Sequence, residues 1–218
     1  MKRITVLLYL AFFLISCAQH RAYDTAQFRE REFESQKITI TKEGLTNEQI
    51  QNIISTKPPS HFPLDLSLMV IKDPYINNEL EQLFVTKMIE ELKKSSNVKR
   101  IVPIPKYLLP EKVTFPIIQE LGIRTLTEYV IVFIIDEESF FRWTKILETK
   151  FEITSAADFL IVDSQTTAIL ASDRLFSQIA YQENIFKIGE KKKAQEEIFT
   201  EQGQLLGEKL ALLFNRSE

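Results

Sequence analysis

The sequence predicts a mixed α/β fold, in which a βαβαβ unit is followed by antiparallel hairpin strands and a C-terminal helix on the sheet. Three apolar runs of strand length, at residues 64–71, 98–104 and 129–135, are separated by two stretches with apolar residues at helical spacing. Nearly continuous apolar runs are typical of strands covered on both faces in a parallel sheet. The second half changes to period-two alternation, which is typical of half-exposed antiparallel strands.

The first two helices have recognisable starts. Thr46 and Gln49 match a capping box, in which each side chain bonds the backbone amide of the other, and two prolines end the short helix that follows. Asn77 or Asn78 is expected to cap a second helix, which extends to about Lys94.

Two further helices are predicted. Thr114 begins one of them, with Pro116 tolerated in its first turn because the amide there has no helical partner. The other runs over residues 194–213 at the end of the chain. Gly203 and Gly207 lie four residues apart in this last helix, so we expect them to allow a close approach to the sheet.

In the second half of the chain, alternation of apolar and polar residues predicts the strands. Apolar residues on odd positions predict one long, half-exposed strand over residues 141–153. Residues 157–163 and 168–176 are predicted as an antiparallel hairpin around the turn at residues 164–167.

Composition limits the class of protein. The chain has 218 residues, 44% hydrophobic residues and sixteen phenylalanines, enough for one domain with a sizeable core. Without Lys2 and Arg3 the chain carries 25 basic and 30 acidic side chains, a formal charge of −5, which disfavours general binding of nucleic acid or anionic lipid. A single cysteine excludes an internal disulfide and a zinc site built on several cysteines.

The N-terminus has the pattern of an export signal. Lys2 and Arg3 precede twelve almost wholly apolar residues, 4–15, a run too short for a comfortable membrane span. The sequence Leu14-Ile15-Ser16-Cys17 then resembles the bacterial lipobox. The resemblance implies that Cys17 is diacylated on sulfur and becomes the first residue of the mature chain. An ordinary signal peptide or a signal anchor with an incidental cysteine is the alternative.

This pattern divides the chain into three parts. Residues 1–16 are the predicted lipoprotein signal peptide, and residues 17–43 are the lipidated N-terminus and a polar tether. Residues 44–218 are predicted to form a single periplasmic α/β domain.

A resemblance to known families comes from residues 159–170, Phe-Leu-Ile-Val-Asp-Ser-Gln-Thr-Thr-Ala-Ile-Leu. They resemble the hairpin of the curli-secretion lipoprotein and of the lipoprotein activators of penicillin-binding proteins, in which an Asp and a Thr close the turn. Thr167 stands where that group has glycine, and residues 125–132 resemble the step that ends its second helix, with Glu128 in place of Asp. The chain is also similar to lipoproteins paired with rhombosortase, although its last four residues are not their C-terminal tail. The resemblance implies an envelope assembly or regulatory module and not an enzyme.

Candidate catalytic and metal-binding residues are few. The histidines are His20, in the tether, and His61, between prolines, and no G-x-S-x-G motif accompanies them. Residues 96–99 match S-x-x-K at a helix end without a partner motif. Asp136-Glu137-Glu138 could chelate a hard cation but is typical of a solvated loop. We therefore predict no catalytic, cofactor-binding or metal-ligating residue, which leaves Cys17 as the predicted site residue, through lipidation.

Two other features have a structural and a functional interpretation. Asp163 is interpreted as a turn residue that accepts backbone amides, with a general base as the alternative. Phe140, Phe141 and Trp143 could form an exposed docking patch, although burial of at least two of them is expected.

The sequence thus predicts a lipid-anchored, non-catalytic envelope protein that binds another protein as an assembly or regulatory module. One alternative is a ligand-binding lipoprotein that serves a transporter, which needs a large apolar pocket between sheet and helices. The other is a hydrolase that uses His61.

The predicted partners follow from the anchor. They are the lipid bilayer, through acylated Cys17, and an envelope protein whose identity the sequence does not give; a homo-oligomer is left open. No nucleic acid and no cofactor are expected. Ala18 and Gln19 lack the aspartate that retains some lipoproteins at the inner membrane, which favours the periplasmic face of the outer membrane.

Overall fold

Five strands form one mixed sheet in the order β2-β1-β3-β4-β5. The computed structural model describes residues 38, 45–57, 59, 62–145, 148–183 and 189–215, with side chains in these ranges except at residues 138–149 and 183. The strands are β1 (Leu64–Lys72), β2 (Val98–Pro103), β3 (Tyr129–Lys145), β4 (Glu148–Asp163) and β5 (Ile169–Glu183). The helices are α1 (Asn47–Ser55), α2 (Asn78–Leu92), α3 (Phe115–Arg124) and α4 (Glu190–Asn215), with a short 3-10 turn at Lys106–Leu108.

The predicted α/β fold with a βαβαβ start is confirmed. β1 pairs in parallel with β2 on one side and with β3 on the other, while β3–β4 and β4–β5 are antiparallel. The parallel pairing of β1 with β3 ends where Asp73 N donates to Ile135 O at 2.9 Å. β3 then continues for ten residues, so β3, β4 and β5 extend beyond the parallel part of the sheet.

The helix starts agree with the capping residues. Thr46 accepts from Gln49 N at 3.2 Å, and the Gln49 side chain accepts from Thr46 N at 2.8 Å, which completes the capping box. Asn77 caps α2 by accepting from Glu79 N at 3.0 Å. Thr114 occupies the capping position of α3 with Pro116 in the first turn, although its side chain makes no capping hydrogen bond.

The single long strand predicted over residues 141–153 is wrong. β3 runs to Lys145 and β4 begins at Glu148, so the chain reverses within that stretch. Phe141 pairs with Phe151, and odd residues of β3 oppose odd residues of β4. The period-two pattern therefore continues in phase through the reversal, which contains no Gly, Pro, Asn or Asp to mark a turn.

Each face of the sheet has its own core. One face packs against α2 and α4, around four phenylalanines that are at most 2% exposed: Phe84, Phe133, Phe159 and Phe199. The rings of the first two meet edge to face, with centroids 5.7 Å apart. The opposite face packs against α3 through a smaller cluster that includes Val130, Val132 and Ile118. Ile38, far earlier in the chain, also packs against this second cluster.

The glycines of α4 approach another helix and not the sheet. α4 lies parallel to α2, because Gly203 faces Phe84 and Gly207 faces Met88, four residues further along each helix. A Cβ atom at Gly207 would lie 2.7 Å from Met88 O, which is closer than real Cβ atoms come. The expected close approach is thus present, but its partner is the α2 backbone.

Candidate functional site at the outer edge of the sheet

β5 is the outermost strand on one side of the sheet, and β4 is the only described strand that pairs with it. With fifteen residues it is about 50 Å long, longer than most edge strands. The outer edge of such a strand presents a row of backbone N–H and C=O groups, which is a template for another strand.

The far half of β5 lacks the usual devices that block edge pairing. Residues 175–182, called the neutral segment below, read Leu-Phe-Ser-Gln-Ile-Ala-Tyr-Gln and contain no charge, no proline and no glycine. Proteins commonly protect edges with lysine, proline, bulges or short strands. The one irregularity in the β4–β5 register, between Ile161 and Val162, lies near the start of β5 and well away from this segment.

Charges lie immediately before the neutral segment. Arg174 Nε lies 3.3 Å from Asp158 Oδ1 on β4, and Asp173 pairs with Lys209 of α4. The hydrogen bond from Lys209 lowers the pKa of Asp173, with a further contribution from the Arg174 amide. Asp173 and Arg174 are therefore paired with charged residues of the same domain, and the eight residues that follow them carry no charge.

The two faces of the neutral segment differ. Leu175 and Ile179 pack against the α2–α4 core, and Tyr181 stacks on Phe151 of β4 with ring centroids 5.0 Å apart and an angle of 11°. On the opposite face Phe176 is 62% exposed, and Ala180 is exposed too. The strand is therefore packed on one face, while Phe176 and Ala180 are exposed on the other and no described strand pairs with its outer edge.

A buried polar pair fixes α4 over the extended strands. Gln202 is fully buried; its Nε2 donates to Ser155 O at 2.9 Å and its Oε1 lies 3.0 Å from Ser155 Oγ. The Ser155 hydroxyl also lies 2.8 Å from Asp136 O on β3. Both ends of the glutamine amide are satisfied, so the pair fixes the position of α4 against β4 without an unpaired polar atom.

The predicted turn at Asp163 is confirmed, including its mechanism. Asp163 Oδ1 accepts from Gln165 N at 2.8 Å, from Thr166 N at 2.7 Å and from the Thr166 hydroxyl at 3.0 Å. Thr167, at the position where the resembling families have glycine, has φ of 63°. The turn thus requires a left-handed residue there, and a β-branched side chain supplies it at a cost in strain.

Several predicted residues lie outside what the structure describes. Cys17, His20 and His61 are among them, and so are the side chains of Phe140, Phe141 and Trp143. Of the acidic run, Glu137 accepts a hydrogen bond from Gln195 Nε2 at 2.7 Å, which ties β3 to α4. Among the described residues, no group of three His, Cys, Asp or Glu side chains could hold a metal ion.

A mixed-charge cluster lies where β1 and β2 end. Lys72 donates to Ile76 O, and Glu81 contacts both Lys72, at 4.0 Å, and Lys106. Lys106 also donates to Asn78 Oδ1 at 2.9 Å. Burial, followed by the charge of Lys106, lowers the pKa of Lys72, while Glu81 opposes that shift. The cluster ties both strand ends to the start of α2, which is a structural role.

The described concavities are surface grooves. One of about 730 Å³ lies between α2 and α4 and is lined by four glutamates, among them Glu79 and Glu201. Another, of about 290 Å³, lies between α2 and the ends of β1 and β2. Between the sheet and α2 and α4 the space is filled by the four phenylalanines. Within the described part of the chain, the large apolar pocket required by a ligand carrier is not seen at that place.

Sequence reasoning missed the neutral segment because the second hairpin strand was predicted to end at Phe176. β5 continues to Glu183. A signal was present in part, since Ile179 and Tyr181 alternate with Gln178, Ala180 and Gln182, but Phe176 and Ser177 interrupt the alternation.

Comparisons with known proteins give structural similarity without a family. No family model matches the chain, and no curated protein matches it either. Solved structures that resemble it include a minor lipoprotein of Acinetobacter baumannii, with a TM-score of 0.41, 12% identity and coverage of 72% of this chain and 96% of that one. Rare lipoprotein B of Shewanella oneidensis has a TM-score of 0.41 and 15% identity, and the match covers 71% of this chain and 99% of that one. A putative lipoprotein of Caulobacter crescentus has a TM-score of 0.38 and 11% identity, and the match covers 68% of this chain and 90% of that one. At these identities and TM-scores the likeness assigns neither a family nor a function to this chain.

Proposed function

We propose that this chain is a non-catalytic lipoprotein of the bacterial envelope, anchored by acylated Cys17 and acting as a protein-binding module through the neutral segment of β5. The anchor is supported by the lipobox Leu14-Ile15-Ser16-Cys17. None of the described helices has the length and apolarity needed to cross a bilayer. The observation that carries the binding role is the long outer edge of β5 with eight consecutive uncharged residues.

The mode of binding is addition of a strand from the partner. Backbone hydrogen bonds along the outer edge of β5 supply affinity, and alternate side chains supply specificity. Phe176, Gln178 and Ala180 lie on the accessible face, so they would contact the side chains of the incoming strand. A charge opposite the neutral segment would lose hydration without gaining a counter-charge, so the partner strand is expected to be uncharged.

The anchor raises the local concentration of this module. Twenty residues, 18–37, separate Cys17 from Ile38, which packs on the domain. A chain of that length spans at most about 70 Å when fully extended. The domain is therefore confined to a shell near the membrane, where a weak edge contact with an envelope protein is strengthened by effective concentration. We place the anchor on the periplasmic face of the outer membrane.

The test is site-specific crosslinking in cells with matched lysine variants. A photo-crosslinking residue at Gln178 should give a discrete adduct with one envelope protein. Ala180→Lys should abolish that adduct, because a charge on the accessible face blocks strand addition. Ser172→Lys is the control, since it is an exposed position of the same strand that lies outside the neutral segment. An adduct that survives Ala180→Lys, or that Ser172→Lys abolishes to the same extent, would contradict binding at this segment.

The anchor is tested separately by Cys17→Ser. The variant should remain unprocessed at the lipobox and lose acylation, which radiolabelled palmitate would detect. Normal labelling of Cys17→Ser would show that the lipidation site was wrongly assigned.

A further inference from the structure

Exposed aliphatic side chains gather at one edge of the sheet. This amino edge, as it is called below, is where β1, β2 and β3 begin, β4 ends and β5 starts. Leu126 is 77% exposed and Ile54 is 72% exposed, although both are aliphatic. The other exposed aliphatic residues there are Ile50, Ile123 and Ile169.

Hydrogen bonds connect the elements that carry these residues. Thr56, directly after α1, donates to Thr166 Oγ1 in the β4–β5 turn at 2.7 Å. Gln119 of α3 donates to Gln165 O in the same turn. Ser164 N donates to Glu128 O at 2.9 Å, beside the loop that contains Leu126. α1, the end of α3 and the start of β5 therefore adjoin at the amino edge.

Leu126 is held in an unfavourable conformation. It follows α3 with φ of 55°, a region where glycine or asparagine is the usual residue. A solvated leucine gains nothing from burial that would offset this strain. The left-handed residue serves to end α3, since the Leu126 amide donates to Ile123 O and the Thr127 amide to Gly122 O, both at 3.1 Å. Glycine would do this without strain, so an exposed leucine at this position indicates a function that needs an apolar side chain there.

α1 buries little apolar surface, although its capping box and the Thr56–Thr166 hydrogen bond fix its two ends. It has nine residues and none of them is buried, and its apolar side chains include Ile50 and Ile54. Isolated helices of this length are marginal even with favourable composition. Its apolar face gains stability only where another apolar surface covers it.

Several basic side chains lie beside the patch. Arg100 donates to Leu126 O at 2.6 Å, so a guanidinium lies directly beside the exposed leucine. Lys99, Arg124 and Lys57 are exposed at the same edge, where Lys99 lies 3.8 Å from Asp65 and Arg124 lies 2.7 Å from Glu120. Asp65 pairs with Arg100 at 3.3 Å and is less exposed than its partner, which leaves the cation outermost. Aliphatic tips beside long basic side chains fit the acyl boundary and phosphate groups of a lipid surface.

The path of the chain leads from the anchor to this region. Residues 18–37 connect the acylated Cys17 to Ile38, which packs beside α3, and α1 follows a few residues later. The domain therefore meets the bilayer at a high local concentration of lipid.

We propose that the amino edge docks on the bilayer surface, with Leu126, Ile123 and Ile54 inserted at the boundary between headgroups and acyl chains. Docking releases the exposed aliphatic surface from water, covers α1 and orients the domain. This proposal rests on the lipid anchor proposed above, and its chemistry is that of a phospholipid surface.

The test uses the mature, acylated full chain in vesicles of phosphatidylethanolamine and phosphatidylglycerol with brominated acyl chains. Trp143→Phe removes the sole tryptophan, and Leu126→Trp then places a probe in the patch. Tyr107→Trp is the matched control, because residue 107 is 85% exposed and lies after β2, at the opposite edge of the parallel strands. The expected result is a blue shift and loss of most of the fluorescence at position 126, with neither change at position 107.

Several outcomes would overturn the proposal. Equal quenching at both positions would mean that the domain touches lipid without a fixed orientation. An unquenched probe at 126, in protein that still cosediments with the vesicles, would mean that the patch serves another surface, such as a protein. Ile123→Trp repeats the measurement from within α3, in case Leu126→Trp disturbs the loop. If the chain is recovered without acylation, adding it to the same vesicles still tests docking, so failure of the anchor and failure of the patch are distinguishable.

Discussion

Gly203→Ala tests the packing of α4 against α2. An added Cβ would meet Phe84 O far inside van der Waals contact and would lie 3.1 Å from Phe84 C. The obstacle is backbone, so no side-chain rotation can relieve it, and the two helices must separate by nearly 1 Å.

The expected magnitude combines two opposing contributions. Overpacking of a tight interface costs about 1–3 kcal/mol, sometimes more, whereas alanine is better than glycine in a helix by about 1 kcal/mol. A gap of this width also weakens the dispersion contacts of neighbours such as Phe199 and Leu206, which are buried in the same interface. We expect a net loss of about 1–3 kcal/mol, or a fall in Tm of several degrees for a domain of this size.

Urea unfolding followed by circular dichroism measures this loss. Gln204→Ala is the control, because Gln204 is exposed in the same helix turn and should change stability by no more than about 0.5 kcal/mol. Gly207→Ala should be destabilising for the same reason, and the double variant should lose less than the sum, since one displacement relieves both contacts. A stabilised Gly203→Ala protein, or strict additivity of the two, would refute the close approach of these helices.

Two further predictions concern the turn after β4 and its neighbour on β3. Thr167→Asn should stabilise the domain by about 0.5–1 kcal/mol in urea unfolding, because asparagine tolerates the φ of 63° better than a β-branched residue does. The Thr167 hydroxyl donates to Thr166 O at 2.6 Å. Destabilisation by Thr167→Asn would mean that this hydrogen bond contributes more to stability than the backbone strain costs. Burial, then the carboxylates of Asp163 and Glu128, raises the pKa of Tyr129 to about 12. The folded state thus holds this proton more tightly than the unfolded state, so stability present below pH 10 should fall by about 2–3 kcal/mol as the pH rises from about 10 to about 12. Tyr129→Phe should remove that part of the slope, and an unchanged slope would contradict the assignment.

The parallel half of the fold was predictable because each of its signals is local. The capping box at Thr46, the cap at Asn77 and the buried run that became β1 depend on neighbouring residues, and the structure places them as expected. The turn at Asp163 was predictable for the same reason, since a short carboxylate that accepts amides two and three residues ahead needs no tertiary partner.

The remaining features depend on contacts between distant segments. The reversal between β3 and β4 was invisible because Phe141 and Phe151 share a face, so alternation does not change phase there. The sheet was predicted as the neighbour of Gly203, whereas the neighbour is the α2 backbone. A glycine in a helix indicates that another element approaches closely, but it does not indicate which element. The neutral segment became a candidate binding surface only because the strand order places β5 at the edge of the sheet, and that order is not visible in the sequence.

The two proposed surfaces are compatible because β5 connects them. β5 starts at Ile169 on the amino edge and runs away from it, so the neutral segment begins about 20 Å and ends about 43 Å along the strand. A domain docked on the bilayer through Leu126 would therefore present Phe176 and Ala180 well above the lipid headgroups. A freely tumbling domain on a tether of twenty residues would expose the same edge in every direction, including toward the membrane. In the proposed arrangement, orientation by the aliphatic patch would keep the long unpaired edge of β5 away from the bilayer, where a partner strand could pair with it.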